Sequence, residues 1–211
     1  MKRFKIACFD MDGTLITNTN SVEYLCILNG KEREVKEIES KEEKDEISWI
    51  DADYLKAKLF TGLEVKKVEE EFEKHIRLID NIGEVIEDLK KHDIKSILVT
   101  AGPIQVAEVL GRKFKFDKIY GSLYGIENRC FTGEILKHLG DSGKLESLTD
   151  YCSENKVTLD EVIAIGDSAS DIKVFEKCAK SIAINYSYKL EGKASVYLRT
   201  DNLEDILEHI V

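Results

Sequence analysis

Several common features are missing from this chain, and each gap narrows what it can be. A single proline, Pro103, occurs in 211 residues, and no low-complexity linker divides the chain. The five cysteines, Cys8, Cys26, Cys130, Cys152 and Cys178, are odd in number and contain no C-x-x-C pair, which speaks against a disulfide framework and a thiolate zinc site. His75, His92, His138 and His209 lie far apart, without the short spacing of metal-binding pairs, so each reads as a surface or packing residue. No apolar run approaches the roughly 18 residues of a bilayer-spanning helix. The start, MKRFKIACFDMDG, reaches charged residues too early for a secretory signal, and a cytoplasmic location is expected. Positive charge is also short. A formal net charge of −10 repels phosphate at long range and argues against nucleic acid or an anionic membrane as partner. A phosphorylated ligand needs a local cation to overcome that field.

What is present is a patterned chain, 43% hydrophobic, long enough for one domain with a substantial core or a core plus a modest insertion. Short apolar runs bounded by turn residues recur as FKIACF (4–9), IKSILVT (94–100), EVIAIG (161–166) and SIAI (181–184). Helical periodicity fills the segments PIQVAEVLGRKF and GKLESLTDYCSEN between them. This alternation predicts an α/β fold with a doubly wound, mostly parallel sheet covered on both faces. In such sheets ligands sit outside the carboxyl ends of the strands.

Residues from about 20 to 80 break the rhythm with amphipathic helical stretches. In VEEEFEKHIRLI, Val68, Phe72, His75, Ile76 and Ile79 fall on one helical stripe. The expected division is therefore a core of 1–17 and 81–211 and a helical insert of 18–80, attached directly after the first strand. The run KEREVKEIESKEEKDE reads as a solvated helix face laced with Glu/Lys pairs. Trp49, Tyr54 and Phe60 read as the insert's own small core in preference to a lining of its inner surface. SLYGIENRCFTGE (122–134) predicts a hairpin.

The chemistry concentrates where strands end. Asp10 and Asp12, in FDMDGTLI, directly follow the first apolar run. On an extended chain residues i and i+2 face the same way, so both carboxylates can approach one point. Their repulsion is relieved by protonating one, which suits a general acid/base, or by a hard divalent cation. The alternative is an acidic β-turn with Gly13 at the position needing positive φ. The pattern repeats after EVIAIG, where Asp167 and Asp171 lie one helical turn apart. A helix cap would need only one such residue. Thr100 ends the strand IKSILVT, and Ala101-Gly102-Pro103 opens the next helix, whose N-terminus favours an anion; a capping or turn hydroxyl is the plainer reading of Thr100. Lys144 sits near a helix start, an unfavourable place for a cation unless an anion lies before it. That inversion makes it preferable to Lys137, although a lone lysine is more often a surface residue.

Taken in order, Asp10-x-Asp12-Gly13-Thr14, Thr100, Lys144 and Gly166-Asp167-x-x-x-Asp171 resemble the motifs of the haloacid dehalogenase-like (HAD) superfamily, in its phosphoserine phosphatase-like branch. The resemblance spans nearly the whole chain, with Asp167 lying 23 positions after Lys144. It implies a HAD-like Rossmann-type core with the insert as a small helical cap. It implies a Mg²⁺-dependent phosphatase that hydrolyses a small phosphorylated metabolite, such as phosphoserine or a related phosphomonoester, through an aspartyl phosphate. Asp10 would be the nucleophile and Asp12 the acid/base. Mg²⁺ would be held by Asp10, the backbone carbonyl of Asp12 and Asp167, with Asp171 in support. Thr100, Ala101, Gly102 and Lys144 would bind the phosphoryl group.

The substrate side departs from that branch. Its usual Glu after the first motif is Thr19 here, its usual cap Arg falls on Lys58 or Lys56, its usual Asn before the last acid is Ser170, and the first glycine of its second motif is Ala101. Lysine attracts a carboxylate but cannot form Arg's planar bidentate pair. Thr19 and Lys58 are thus candidate substrate contacts. A phosphate-accepting regulatory module also uses strand-end acids, Thr and Lys, but the insert and the acidic pair after the lysine argue against it. A HAD-type phosphotransferase with another acceptor is a further alternative. A non-catalytic binding protein on this scaffold would be expected to have lost Asp10 or Asp12.

Overall fold

The computed structural model of the chain describes residues 4–140 and 142–210. Among these, seven strands form one sheet in the order β4-β3-β2-β1-β5-β6-β7. They are β1 (Ile6–Phe9), β2 (Lys95–Pro103), β3 (Lys118–Glu127), β4 (Cys130–Lys137), β5 (Val162–Gly166), β6 (Lys180–Ile184) and β7 (Val196–Leu198). All neighbours are parallel except the β3–β4 pair. The α/β reading of the sequence describes this architecture. β7, with only three residues, and the first residues of β3 carried no sequence signal of their own.

The helices are α1 (Ser21–Leu28), α2 (Glu32–Glu43), α3 (Trp49–Leu59), α4 (Lys66–Glu70), α5 (Phe72–His75), α6 (Ile82–Lys91), α7 (Ile104–Phe114), α8 (Gly143–Asn155) and α9 (Ile172–Phe175). Alternation along the central strands explains the layers. Ala7, Phe9, Leu98, Ile163 and Ile165 share a core with the apolar faces of α6 and α7. Ile6, Cys8, Ile97, Val99, Val162 and Ala164 pack on the other side with Leu148 and Cys152 of α8 and Val174 and Phe175 of α9. With both faces covered, every β1 residue is buried, which is why the strand reads as an unbroken apolar run.

After β1 the chain builds outward through β2, β3 and β4, then crosses back to begin β5 on the other side of β1. The strand order therefore reverses between β1 and β5, the crevice where open α/β sheets place ligands. Asp10 and Asp167 follow these two strands.

Helices α1–α5 occupy the chain between β1 and α6. The segments that enter and leave this insert lie side by side: Thr17 N–H donates to Arg77 O and Ile79 N–H to Leu15 O, each at 3.0 Å. That pairing corrects the single stripe expected over 68–79. Val68, Phe72, Ile76 and Ile79 are buried but His75 is exposed, because the helix stops at His75 and Ile76 turns extended to meet the outgoing chain. The insert does not keep a separate core either. Phe60 is fully buried with its ring 5.5 Å from Tyr124 and 5.2 Å from Phe131 of the β3–β4 hairpin. That hairpin is longer than the sequence pattern implied, and its turn holds Asn128 and Arg129 consecutively at positive φ, the geometry of a tight hairpin turn.

Candidate active site

The loop after β1 is built by its own backbone. Leu15 and Ile16 both donate to Met11 O, at 2.8 and 2.9 Å, and Gly13 N–H donates to Ile16 O at 2.9 Å. Gly13 has φ +78°, and a Cβ there would lie 2.1 Å from Asp167 Oδ2. Only glycine satisfies both the left-handed backbone and the close approach of the β5 loop.

Asp10, buried and anchored by its N–H to Ile165 O, faces Lys144. Lys144, itself 2% exposed, donates from Nζ to Asp10 Oδ1 at 2.6 Å, Asp171 Oδ1 at 2.8 Å and Ser170 Oγ at 2.9 Å. Asp171 caps the turn that follows β5, its Oδ2 accepting from the N–H groups of Asp167 (3.1 Å) and Ser168 (3.2 Å). One oxygen from each of Asp10, Asp167 and Asp171 lies within 4.8 Å of the other two. The Asp12 side chain stays outside this trio and accepts from Ser21 N–H at 2.8 Å and Ser21 Oγ at 2.5 Å, at the first turn of α1. Thr100 Oγ1 accepts from Gly102 N–H at 2.9 Å. Gly102 abuts the same place, since a Cβ there would lie 2.1 Å from Ser21 Oγ and 2.9 Å from Asp12 Oδ2. Ser122 ties the end of β2 to the approach to Lys144, donating to Ala101 O at 2.5 Å and accepting from Leu139 N–H at 2.9 Å. Four distant segments thus meet at one strand-end crevice.

Burial sets the electrostatics. It pushes Asp10 up to about 7, reinforced by Asp171 and only partly offset by Lys144. It raises Asp12 to about 6 against the Ser21 hydrogen bonds, and raises Asp167 well above the ordinary carboxylate range, with Asp10 and Asp171 adding to the effect. For Lys144 burial works against the charged form, but Asp10 and Asp171 outweigh it and hold the ammonium above its usual value. The crevice is short of positive charge. Three carboxylates in mutual reach, with Asp167 Oδ1 buried and unpartnered, offer the hard oxygen donors that suit Mg²⁺.

The family model of haloacid dehalogenase-like hydrolases matches residues 7–176, from β1 through the last acidic pair. The chain belongs to this family. Among relatives of this HAD hydrolase, the phosphoserine phosphatase of Methanocaldococcus jannaschii is 25% identical over 210 residues, covering 99% of both chains. That of Lactococcus lactis is 27% identical over 202 residues, covering 95% of this chain and 93% of its own. A substrate-bound phosphoserine phosphatase complex superposes with a TM-score of 0.87 over all of both chains at 24% identity, and a phospho-aspartyl intermediate analogue of phosphoserine phosphatase with 0.86. These two structures share its fold, and the sequence relatives place it in the phosphoserine phosphatase-like branch.

A cleft of about 530 Å³ opens from Asp12 and Asp167 toward the helical insert of this HAD hydrolase. Thr19 and Lys56 line it, as do Glu23, Glu39, Glu42 and Glu43. Lys58 does not: it is exposed, two residues farther along α3, where the helix has rotated it away from the side that buries Lys56. Of the two lysines open at the sequence level, Lys56 is the one in the cleft. The expectation that KEREVKEIESKEEKDE is only a solvated face also fails, since Glu39 and Glu42 from that run each hold Lys56 Nζ, at 3.3 and 3.2 Å. Their side chains point inward because α2 packs on α3, a tertiary contact that i, i+4 charge pairing does not reveal. Trp49 lines an adjoining cavity, while Tyr54 is half exposed and stacks on His138. Ser21 and Ser122 carried no sequence signal.

No helix among the described residues is long and apolar enough to cross a membrane.

Proposed function

We propose that this hydrolase is a Mg²⁺-dependent phosphatase of a small phosphorylated metabolite, acting through an aspartyl phosphate on Asp10. The observation that carries the reading is the buried convergence of Asp10, Lys144, Asp167 and Asp171 at the strand-order reversal. The names of the sequence relatives support it.

Asp10 attacks phosphorus with one carboxylate oxygen while the P–O bond to the alcohol breaks, and Asp12 supplies the proton to the departing oxygen. Water then attacks the aspartyl phosphate, Asp12 takes its proton, and Asp10 is regenerated with release of inorganic phosphate. A carboxyl raised to about 6 by burial is poised to give and take a proton near neutrality. Lys144 and the Thr100 hydroxyl, whose oxygen Gly102 N–H holds in place at 2.9 Å, bind the transferring oxygens and offset their charge, with Ala101 beside them at the end of β2. Asp10, the backbone carbonyl of Asp12, Asp167 and Asp171 would hold Mg²⁺, which supplies further charge neutralisation when bound. The insert, 18–80, acts as the cap that limits bulk water at the crevice.

The test is a panel of phosphomonoesters, including phosphoserine and p-nitrophenyl phosphate, assayed with Mg²⁺ and with EDTA beside Asp10→Asn. Turnover is expected only with metal, with a hydroxylamine-labile phosphate on the intact protein and none on the variant. Ordinary turnover by Asp10→Asn would rule the nucleophile out.

A further inference from the structure

The cleft between the acidic loops and the helical insert has an unusual charge balance. Beyond Asp12 and Asp167 its lining holds Glu23, Glu39, Glu42 and Glu43 against one cation, Lys56. That cation is already committed. Lys56 is 3% exposed, its Nζ bonds Glu39 Oε1 and Glu42 Oε2, and Glu39 Oε1 also accepts from Asn20 Nδ2 at 3.0 Å. An incoming carboxylate would have to displace two glutamates from Lys56 and enter beside two more. Thr19, in the cleft, donates its hydroxyl to Glu23 Oε2 and so directs its own polarity at an acid of the chain.

A second, adjoining feature bears on the same question. An adjoining cavity of about 290 Å³ shares Glu42 and Ser168 with the cleft and adds the rings of Trp49 and Tyr188, together with Lys189. Tyr188 is 73% exposed, although it lies beside a functional crevice. Aromatic rings next to a carboxylate are an arrangement that attracts an ammonium group, with the exposed Lys189 in the same lining working against it, so the acidic cleft carries the argument.

Resting on the phosphatase reading above, we propose that the preferred substrate is the phosphate ester of a small amino alcohol, carrying an ammonium group and no carboxylate. Glu23 and Glu42 receive the ammonium, and Lys56 serves as an internal counter-ion that keeps the glutamates in place. A zwitterionic amino acid ester gains the ammonium contact but brings a carboxylate into a field of its own sign, so it is disfavoured.

The experiment compares kcat/KM for O-phosphoethanolamine, O-phosphoserine, 3-phosphoglycerate, glycerol phosphate and p-nitrophenyl phosphate on the Mg²⁺-loaded protein. The amino alcohol ester is expected to exceed phosphoserine and phosphoglycerate by about tenfold or more, and its KM to rise with salt as the part-exposed glutamates are screened. In Glu42→Lys and Glu23→Gln the ratio of phosphoethanolamine to phosphoglycerate turnover is expected to fall, most steeply in the charge reversal. Circular dichroism on the same samples checks folding. Phosphoserine or phosphoglycerate as the better substrate, with p-nitrophenyl phosphate hydrolysed normally, overturns the specificity and leaves the phosphatase reading standing. Failure on every ester with metal present removes the phosphatase reading and this inference with it.

Discussion

Lys144 Nζ lies 2.6 Å from Asp10 Oδ1, joining residues 134 positions apart inside a crevice almost closed to solvent. Asp171 takes a second hydrogen of the same ammonium. The two partners are not equivalent in what their loss would do. Asp10 is buried against its own charge, so Asp10→Asn removes a desolvation cost. The variant is expected to be inactive yet at least as stable as the parent in EDTA. Lys144→Met leaves Asp10 and Asp171 buried without their cation and is expected to lower stability by about 3 kcal/mol as well as activity. Urea denaturation of both variants in EDTA reads the difference. Equal destabilisation by the two would show that the pair is not electrostatically asymmetric.

The same burial couples stability to pH and metal. Asp10 moves from 3.8 to about 7, Asp12 from 3.8 to about 6, and Asp167 also upward, so the folded protein binds more protons than the unfolded chain between about pH 4 and 7. Stability contributed by these protons is present at low pH and lost as pH rises through the folded values. Metal-free protein is therefore expected to melt at a lower temperature at pH 7.5 than at pH 5.5. Mg²⁺ should restore more stability at pH 7.5, because it binds the deprotonated acids. Thermal melts at both pH values, with EDTA and with MgCl₂, give the sign. A melting temperature that climbs with pH in EDTA contradicts the assignment.

Gly13 is the tightest point between the two acidic loops. Gly13→Ala adds a methyl group at φ +78° and 2.1 Å from Asp167 Oδ2, so either the backbone or Asp167 must move. The left-handed backbone alone costs about 1 kcal/mol. The larger effect is expected at the metal: the Mg²⁺ concentration for half-maximal activity should rise at least about tenfold, since the ligands lose their geometry. Titration of activity with Mg²⁺ checks this, and an unchanged half-saturation point would mean that Asp167 is free to swing aside.

A histidine that reads as ordinary in the sequence fastens the insert to the sheet domain. His138 Nδ1 accepts from Gly140 N–H at 2.8 Å, which leaves Nε2 to donate to Asp53 Oδ2 of α3 at 2.9 Å. Trp49 and Tyr54 of the same helix pack on the imidazole at ring distances of 5.4 and 5.9 Å. His138→Ala is expected to loosen α3, raising KM more than it lowers kcat and speeding amide exchange in α3 while β1 and β5 stay protected. Unaltered exchange in α3 would show that the Phe60 contacts hold the insert without His138.

The residues that converge at the strand-end crevice were legible because the local rules that place them act along the chain. An apolar run ending in Asp10-Met11-Asp12-Gly13, another ending in Gly166-Asp167, and a lysine at a helix start are patterns of strand burial, turn geometry and helix charge, all written over a few residues. The alternation of strand and helix likewise dictated a covered parallel sheet. Those same rules could not choose between Lys56 and Lys58, since both sit in one helix and only packing on α2 decides which is buried.

Tertiary structure decided the rest. Glu39 and Glu42 look like solvent-facing charges until α2 is laid on α3, and Ser21, Ser122 and His138 acquire roles only through partners as far as 85 positions away. Periodicity divides the insert from the core at 18 and 80, but its apolar residues merge with those of the sheet, so no local signal could foretell that Phe60 packs on the β3–β4 hairpin. Sequence by itself determined which groups have reactive chemistry, because reactivity resides in residue type and local backbone. Which charges face each other across the cleft, and hence what ester it admits, follows from long-range packing, because Coulomb and hydrogen-bond energies depend on distance in space and not along the chain.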